Sequence, residues 1–233
     1  MTEAIVLAGG MGTRLRAAVA DLPKPMAPVA GRPFLCYILD QLAEQGIERV
    51  ILSVGYLWQS IHAYFGASYA GIALDYSVEE QPLGTGGALS AALLRAETSR
   101  VLSMNGDSWL GFDYSSLAAL EANGEPFALA LALRRLEDAS RYGRVEMDGR
   151  CVRRFHAAGA PGPGLVNAGV YLLARDIFST RNVPAHFSFE AFVEKQIDDL
   201  RPLGVIADGH FIDIGIPSSF ELAQTVMPLW TAK

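Results

Sequence analysis

The stretch Leu7 to Pro25, LAGGMGTRLRAAVADLPKP, gathers the residue types that handle an anion. A short apolar run stops at Gly9 and Gly10, and two cations ten residues apart, Arg14 and Lys24, follow. If a strand ends at Leu7, the backbone N–H groups of Gly9, Gly10, Met11 and Gly12 would face the anion, because glycine tolerates the φ values and close approach this needs. An ordinary glycine turn is the competing reading, and the two cations decide for a phosphate cradle. Two other phosphate motifs are excluded. Gly10-Met11-Gly12 is followed by Arg14 and Leu15, so GxGxxG is incomplete, and no GxxxxGK[ST] occurs. Two aspartates stand out as further candidates. Asp107 follows an apolar run in Met104-Asn105-Gly106-Asp107, and Asp213 lies in Phe211-Ile212-Asp213-Ile214-Gly215. A lone Asp after a strand is more often a cap or turn former, and the position of Asp107 beside the glycine loop reverses that preference.

These residues need a frame. Ala4 to Leu7 reads as a buried strand, and Leu35, Ile38, Leu39 and Leu42 recur at helical spacing up to a stop at Gly46. Strands are predicted at Val50 to Val54, Ala73 to Ser77 and Val101 to Met104, with helices at Trp58 to Phe65 and Gly86 to Leu94 between them. That β-α-β series predicts a parallel sheet with right-handed crossovers. Ligands in such sheets collect beyond the carboxyl ends of strands, where the glycine loop, the Gln81 loop and Asn105-Gly106-Asp107 would converge. Further on, the pattern predicts a helix at Ser115 to Ala122, a strand at Ala128 to Leu133 and a hairpin of Arg144 to Met147 with Val152 to Phe155, turning at Asp148-Gly149. Gly159 to Gly164 reads as a mobile proline-glycine loop, Ser188 as a helix N-cap and Pro217 to Leu229 as a last helix.

Composition narrows the function classes. With 51% hydrophobic and 19% charged residues the 233-residue chain suits one compact α/β domain and not a disordered one. Its formal charge of −6 disfavours a nucleic-acid surface, so any polyanion must meet a local basic site. Two cysteines, Cys36 and Cys151, without zinc spacing imply reduced thiols in a cytoplasmic protein. Neither a signal peptide nor a membrane span is expected, since Glu3 replaces a basic leader and glycines break the first apolar run.

The run from Leu7 through PKPMAPVAGRPFL, ending at Leu35, resembles the signature of the sugar-1-phosphate nucleotidyltransferases, LAGGxGTRLxPxTxxxPKPxxPVxGxPxL. It departs at Arg16 and Ala17, the latter standing where the family has proline. The resemblance covers nearly the whole chain. Glu79-Glu80-Gln81-Pro82-Leu83-Gly84-Thr85-Gly86-Gly87 is similar to the family's nucleobase loop, Tyr142-Gly143 to its YG element, Val166-Asn167-Ala168-Gly169-Val170-Tyr171 to its sugar-binding strand and Phe211 to Pro217 to its W/F-x-D-I/V-G-T-P turn. It implies a Rossmann-like three-layer (GT-A-like) α/β fold with a mainly parallel central sheet and a small β subregion for the sugar, as a single catalytic domain over 1–233 with no acyltransferase or β-helix extension. It also implies that Leu7, Ala8, Gly9, Gly10, Gly12, Thr13, Gln81, Gly84 and Thr85 bind the nucleotide, that Arg14 and Lys24 are catalytic, and that Asn105, Gly143 and Asn167 bind the sugar. Asp107 and Asp213 would hold Mg²⁺. To this the hydrogen-bond inventory adds Glu80, whose oxygens could accept from guanine N1–H and N2–H.

The strongest departure falls after the hairpin. Family members continue F-x-E-K, with Glu on sugar hydroxyls and Lys on the sugar phosphate, whereas this chain reads Phe155-His156-Ala157-Ala158. The implied reaction is attack of a sugar 1-phosphate on the α-phosphorus of a nucleoside triphosphate, GTP being favoured, with release of pyrophosphate. Short length, the EExPLGTGGAL loop, GPGLVNAGVY and FIDIGIP most resemble the guanylyltransferases of D-glycero-α-D-manno-heptose 1-phosphate. Mannose-1-phosphate guanylyl transfer and hexose or amino-sugar uridylyl transfer are the alternatives within the class, and a weakly catalytic nucleotide-sugar sensor is the alternative outside it.

Overall fold

The computed structural model describes residues 2–10, 22–120 and 127–232. The first half alternates as the hydrophobic pattern requires. After β1 (Glu3–Leu7), a turn at Lys24–Met26 leads to a small hairpin of β2 (Pro28–Val29) and β3 (Arg32–Pro33). Then come α1 (Phe34–Glu44), β4 (Arg49–Val54), α2 (Trp58–Phe65), β5 (Ser68–Tyr69), β6 (Ile72–Val78), α3 (Gly84–Leu93) and β7 (Arg100–Asn105). β7, β1, β4 and β6 pair side by side and all parallel. β1 and β4 are almost unbroken runs of buried side chains, the pattern of strands covered on both faces. α1 buries Phe34, Leu35, Ile38, Leu39 and Leu42 against this sheet and is followed by Gly46 at φ 76°.

The second half contains β8 (Ser108–Leu110), α4 (Ser115–Ala118), β9 (Leu129–Leu136), β10 (Val145–Asp148), β11 (Cys151–Phe155), β12 (Gly164–Ala174), α5 (Phe189–Lys195), α6 (Ile197–Leu200), β13 (Leu203–Ala207), β14 (Phe211–Asp213) and α7 (Pro217–Trp230). β12 inserts antiparallel between β7 and β9, and β13 runs parallel on the far side of β9. The β10–β11 hairpin ends the ten-stranded sheet, whose order is β10-β11-β13-β9-β12-β7-β1-β4-β6-β5. The parallel centre expected from the β-α-β series is therefore continued by antiparallel strands where the sugar subregion was expected. β13, an apolar run after Pro202, was not foreseen. The Ser188 hydroxyl caps α5 by accepting from the Ala191 amide.

One polar group is buried early in the chain. Glu3, 2% exposed, accepts from the Glu97 and Thr98 amides and the Thr98 hydroxyl and meets Arg49, which also reaches Asp75. This staple ties the start of β1 to β4 and to the turn before β7. Burial by itself would raise the Glu3 carboxyl, but these hydrogen bonds outweigh it and hold the group below its ordinary range. Among the described residues no helix is long and apolar enough to cross a membrane.

Candidate active site

The four parallel strands end at one rim, and the chain leaving β1, β6 and β7 is held by a neighbouring strand. The Ala8 amide donates to Ser53 O (2.7 Å), the Glu79 amide to Val54 O (2.8 Å) and the Gly106 amide to Leu7 O (2.9 Å). This crowding bears on two glycines. A Cβ on Gly9 would stand 2.4 Å from Glu79 Oε1, and one on Gly106 would stand 2.8 Å from Leu7 O. Around this rim lies a cavity of about 550 Å³, walled by Leu7 to Gly10, Lys24, Glu79, Glu80, Gly84, Thr85, Asn105 and Asp107, among others. Met11, Gly12, Thr13 and Arg14 lie outside the described residues.

The two aspartates meet through a piece of backbone separate from the main sheet. β14 pairs antiparallel with β8 so that Asp213 faces Ser108, and the Ile214 amide donates to Asp107 O at 2.9 Å. Lys24 Nζ donates to Asp107 Oδ2, and the same ammonium lies 3.1 Å from where a Gly215 Cβ would be, a point 2.5 Å from Asp213 Oδ1. Asp213 in turn accepts from the Gly215 amide (2.8 Å), from Arg141 Nη2 (3.0 and 3.3 Å) and from the Tyr142 hydroxyl. Burial, followed by the hydrogen bond to Asp213 and then the Asp213 charge, pushes the Tyr142 hydroxyl well above its usual pKa, so it stays protonated and donates. Lys24, Asp107 and Asp213, separated by 83 residues and more in sequence, thus share one spot at the cavity mouth.

The Glu79 to Gly87 loop rests on a segment far along the chain. The Gly86 amide donates to Phe187 O (2.9 Å), the Phe187 amide to Leu83 O (3.0 Å) and the Phe189 amide to Thr85 Oγ1 (2.9 Å). Gly84 has φ 69°, and a Cβ there would lie 2.6 Å from Phe187 O. Glu79 accepts from the Leu83 amide (3.0 Å), while burial raises its carboxyl above the ordinary value. Glu80 is exposed on the cavity wall, and Gln81 is exposed outside it.

On the other side, the pairing of β12 with β9 breaks between Asn167 and Tyr171, and Gly169 sits in the break at φ 73°. A Cβ at Gly169 would be 2.5 Å from Asn105 Nδ2, so the break lets β12 close onto the end of β7. Asn167 Oδ1 accepts from the Gly169 amide (3.0 Å), and its Nδ2 donates to Tyr171 (2.6 Å) and Glu190 Oε1 (3.2 Å). Gly143 is packed so closely that a Cβ would stand 2.6 Å from His156 O. The loop read as mobile is clamped: Arg144 Nη2 donates to the carbonyls of Ala160 (2.9 Å), Pro161 and Gly162 (3.0 Å).

A model of the nucleotidyl transferase family matches residues 3–227. The chain belongs to that family. Within it, the chain is 42% identical over 223 residues to the D-glycero-alpha-D-manno-heptose 1-phosphate guanylyltransferase of Aneurinibacillus thermoaerophilus, covering 95% of this chain and 96% of the relative. It is 40% identical over 219 residues to the enzyme of the same name from Campylobacter jejuni, covering 94% and 96%. The crystal structure of HddC from Yersinia pseudotuberculosis complexed with GMP-PN superposes with a TM-score of 0.84 at 30% identity, covering 97% of this chain and 100% of that one. Nucleotidyl transferases of this family generally use a divalent metal. The donor set here suits one. Asp107 and Asp213 are hard-oxygen carboxylates held at one spot, the donor type that a hard divalent cation takes, and among the described residues no group of three His, Cys, Asp or Glu could hold a metal ion by itself. Four side chains in the site had no role in the sequence reading: Glu79, Arg141, Tyr142 and Glu190. Of these Glu79 and Tyr142 carried a signal, each as a member of a motif already singled out.

Proposed function

We propose that this nucleotidyl transferase moves GMP from GTP to D-glycero-α-D-manno-heptose 1-phosphate, giving GDP-heptose and pyrophosphate, as a single catalytic domain in the cytoplasm. The observation that carries the reading is the meeting of Lys24, Asp107 and Asp213 at the mouth of the glycine-walled cavity. Two relatives at 40% identity or more, both named for this guanylyl transfer, support the choice of sugar and base.

The phosphate oxygen of the sugar is already a nucleophile, so the protein needs no covalent intermediate and its work is positioning and charge stabilisation. Leu7, Ala8, Gly9 and Gly10, with Gly12 and Thr13, cradle the triphosphate. Lys24, joined by Arg14, would counter the charge that grows on the α-phosphoryl group and the departing pyrophosphate. Asp107 and Asp213 would hold Mg²⁺, which when bound would neutralise phosphate charge. Glu80, Gln81, Gly84 and Thr85 line the base, and Asn105, Gly143 and Asn167 line the sugar, with Asn167 oriented by Tyr171 and Glu190.

The test is pyrophosphate release on mixing the protein with a panel of nucleoside triphosphates and of mannose and heptose 1-phosphates in Mg²⁺. Release with GTP and heptose 1-phosphate is expected. Turnover with mannose 1-phosphate alone would replace the sugar assignment, and tight nucleotide-sugar binding without any turnover would make the protein a sensor.

A further inference from the structure

Joining two phosphates requires positive charge on both sides of the new bond. Lys24 supplies it beside Asp107, on the nucleotide side. On the sugar side, His156, Ala157 and Ala158 follow β11, and both alanines are exposed and uncharged. His156 faces Glu146 at 3.2 Å, Arg153 faces Asp148 at 3.2 Å, and Arg144 is spent on three backbone carbonyls. None of these three is paired with Asp213, and neither is the exposed Arg154.

Arg141 is. Its Nη2 lies against Asp213, its Nη1 donates to Ser219 Oγ at 2.7 Å, and its guanidinium sits 5.1 Å from the Tyr142 ring centroid. These contacts fix the side chain but occupy only part of its five N–H donors, and it stays 39% exposed. The turn that carries it touches the loop that lacks charge, because the Gly159 amide donates to Ser140 O at 2.9 Å and the Ala139 amide to Gly162 O at 2.9 Å. Position 158 and Arg141 therefore flank one hydrogen-bonded backbone contact.

We infer that Arg141 binds the phosphate of the sugar 1-phosphate, supplying from the 139–142 turn the cation that position 158 does not. The inference rests on the functional reading above. Asp213 and Ser219 hold the guanidinium so that its free N–H groups meet the incoming phosphate in the planar, two-donor manner for which arginine is suited. Asp213 thereby positions a phosphate-binding side chain as well as serving as a carboxylate of the site.

Two measurements keep the two readings apart. Turnover by the unsubstituted protein reports on guanylyl transfer, while calorimetric titration with heptose 1-phosphate in Mg²⁺ reports on Arg141 with or without turnover. Arg141→Ala is expected to weaken heptose 1-phosphate binding roughly 10- to 100-fold, the range of one charge-assisted contact. GTP affinity and the Mg²⁺ requirement should stay within about threefold, since the lost contact is to neither. Arg141→Lys should recover part of the loss, and it serves as the reading if the alanine variant does not fold. Adding Ala158→Lys to Arg141→Ala should bring affinity back. Unchanged heptose 1-phosphate affinity in Arg141→Ala would overturn the inference. So would a rise in Mg²⁺ requirement that accounts for the whole loss, which would make Arg141 a support for Asp213 only.

Discussion

Gly87→Ala sets two effects of opposite sign against each other. In an open helix alanine is favoured over glycine by about 0.5–1 kcal/mol, so substitution within α3 would ordinarily stabilise. Here the new methyl carbon would stand 2.3 Å from Ala185 O and 2.9 Å from Leu83 Cβ. A backbone carbonyl cannot rotate away, so the 185–187 segment has to retreat by about 1 Å to reach van der Waals distance. Overpacking of this kind costs about 1–3 kcal/mol, and the retreat strains the Gly86–Phe187 and Phe187–Leu83 hydrogen bonds, each contributing about 1 kcal/mol. The clash wins, and a net loss of roughly 1–3 kcal/mol is expected, read as a lower urea midpoint at unchanged m-value. Function should suffer as well, because the displaced segment leads directly to Glu190, the partner of Asn167. A shift of about 1 Å there is enough to lower kcat/KM for the sugar phosphate by up to ~100-fold. A variant as stable as the parent, with both KM values intact, would show that propensity and not packing rules this position, and would refute the argument that the nucleobase loop is braced from behind.

Asp107→Asn and Asp213→Asn should each lower turnover by about 100-fold or more at limiting Mg²⁺ while leaving the fold intact, by analogy with removal of one electrostatic stabiliser. Near-normal rates in either would remove that residue from the metal site. Glu80→Ala should reduce the preference for GTP over ATP by roughly 10- to 100-fold, the value of about 1–3 kcal/mol for an unpaired buried group; an unchanged ratio would leave Glu80 a wall residue. Glu3 has a folded pKa below its ordinary 4.5, so its stabilisation is present above pH 4.5 and is lost as pH falls through the folded value. Glu3→Gln should be less stable at neutral pH by about 2–4 kcal/mol, since Arg49 loses a buried partner, and should show a shallower loss on acidification; parallel acid-unfolding curves would contradict the sign.

The parallel centre was legible because buried runs such as Ala4 to Leu7 and Val50 to Val54 have no other use, and each ends at a glycine or a polar turn. The glycine motifs were legible too, and the structure supplies their reason: Gly9 yields space to Glu79, and Gly84 to Phe187. What could not be read was long-range. Lys24 and Asp107 are 83 residues apart, and only the folded sheet brings them together. Of the two acids Glu79 and Glu80, the first continues the β6 ladder by its amide bond to Val54 and turns inward, a matter of register that composition does not encode. Arg144 looked like one more charge in an alternating strand, yet it pins the Pro161 loop, because three carbonyls without ladder partners lie within its reach. β13 escaped notice because five apolar residues after a proline are equally compatible with a helix end or a strand.

The ribbon of β8 and β14 also fixes when the site is completed during synthesis. A chain released up to about residue 200 already contains every strand of the cavity rim, together with Lys24 and Asp107, because β1, β4, β6 and β7 all precede Gly106. Asp213 arrives with the last three-residue strand, after all ten strands of the main sheet have been made. A chain that stops short of β14 therefore carries only one of the two carboxylates, and the second is brought in by the three residue pairs that β14 makes with β8.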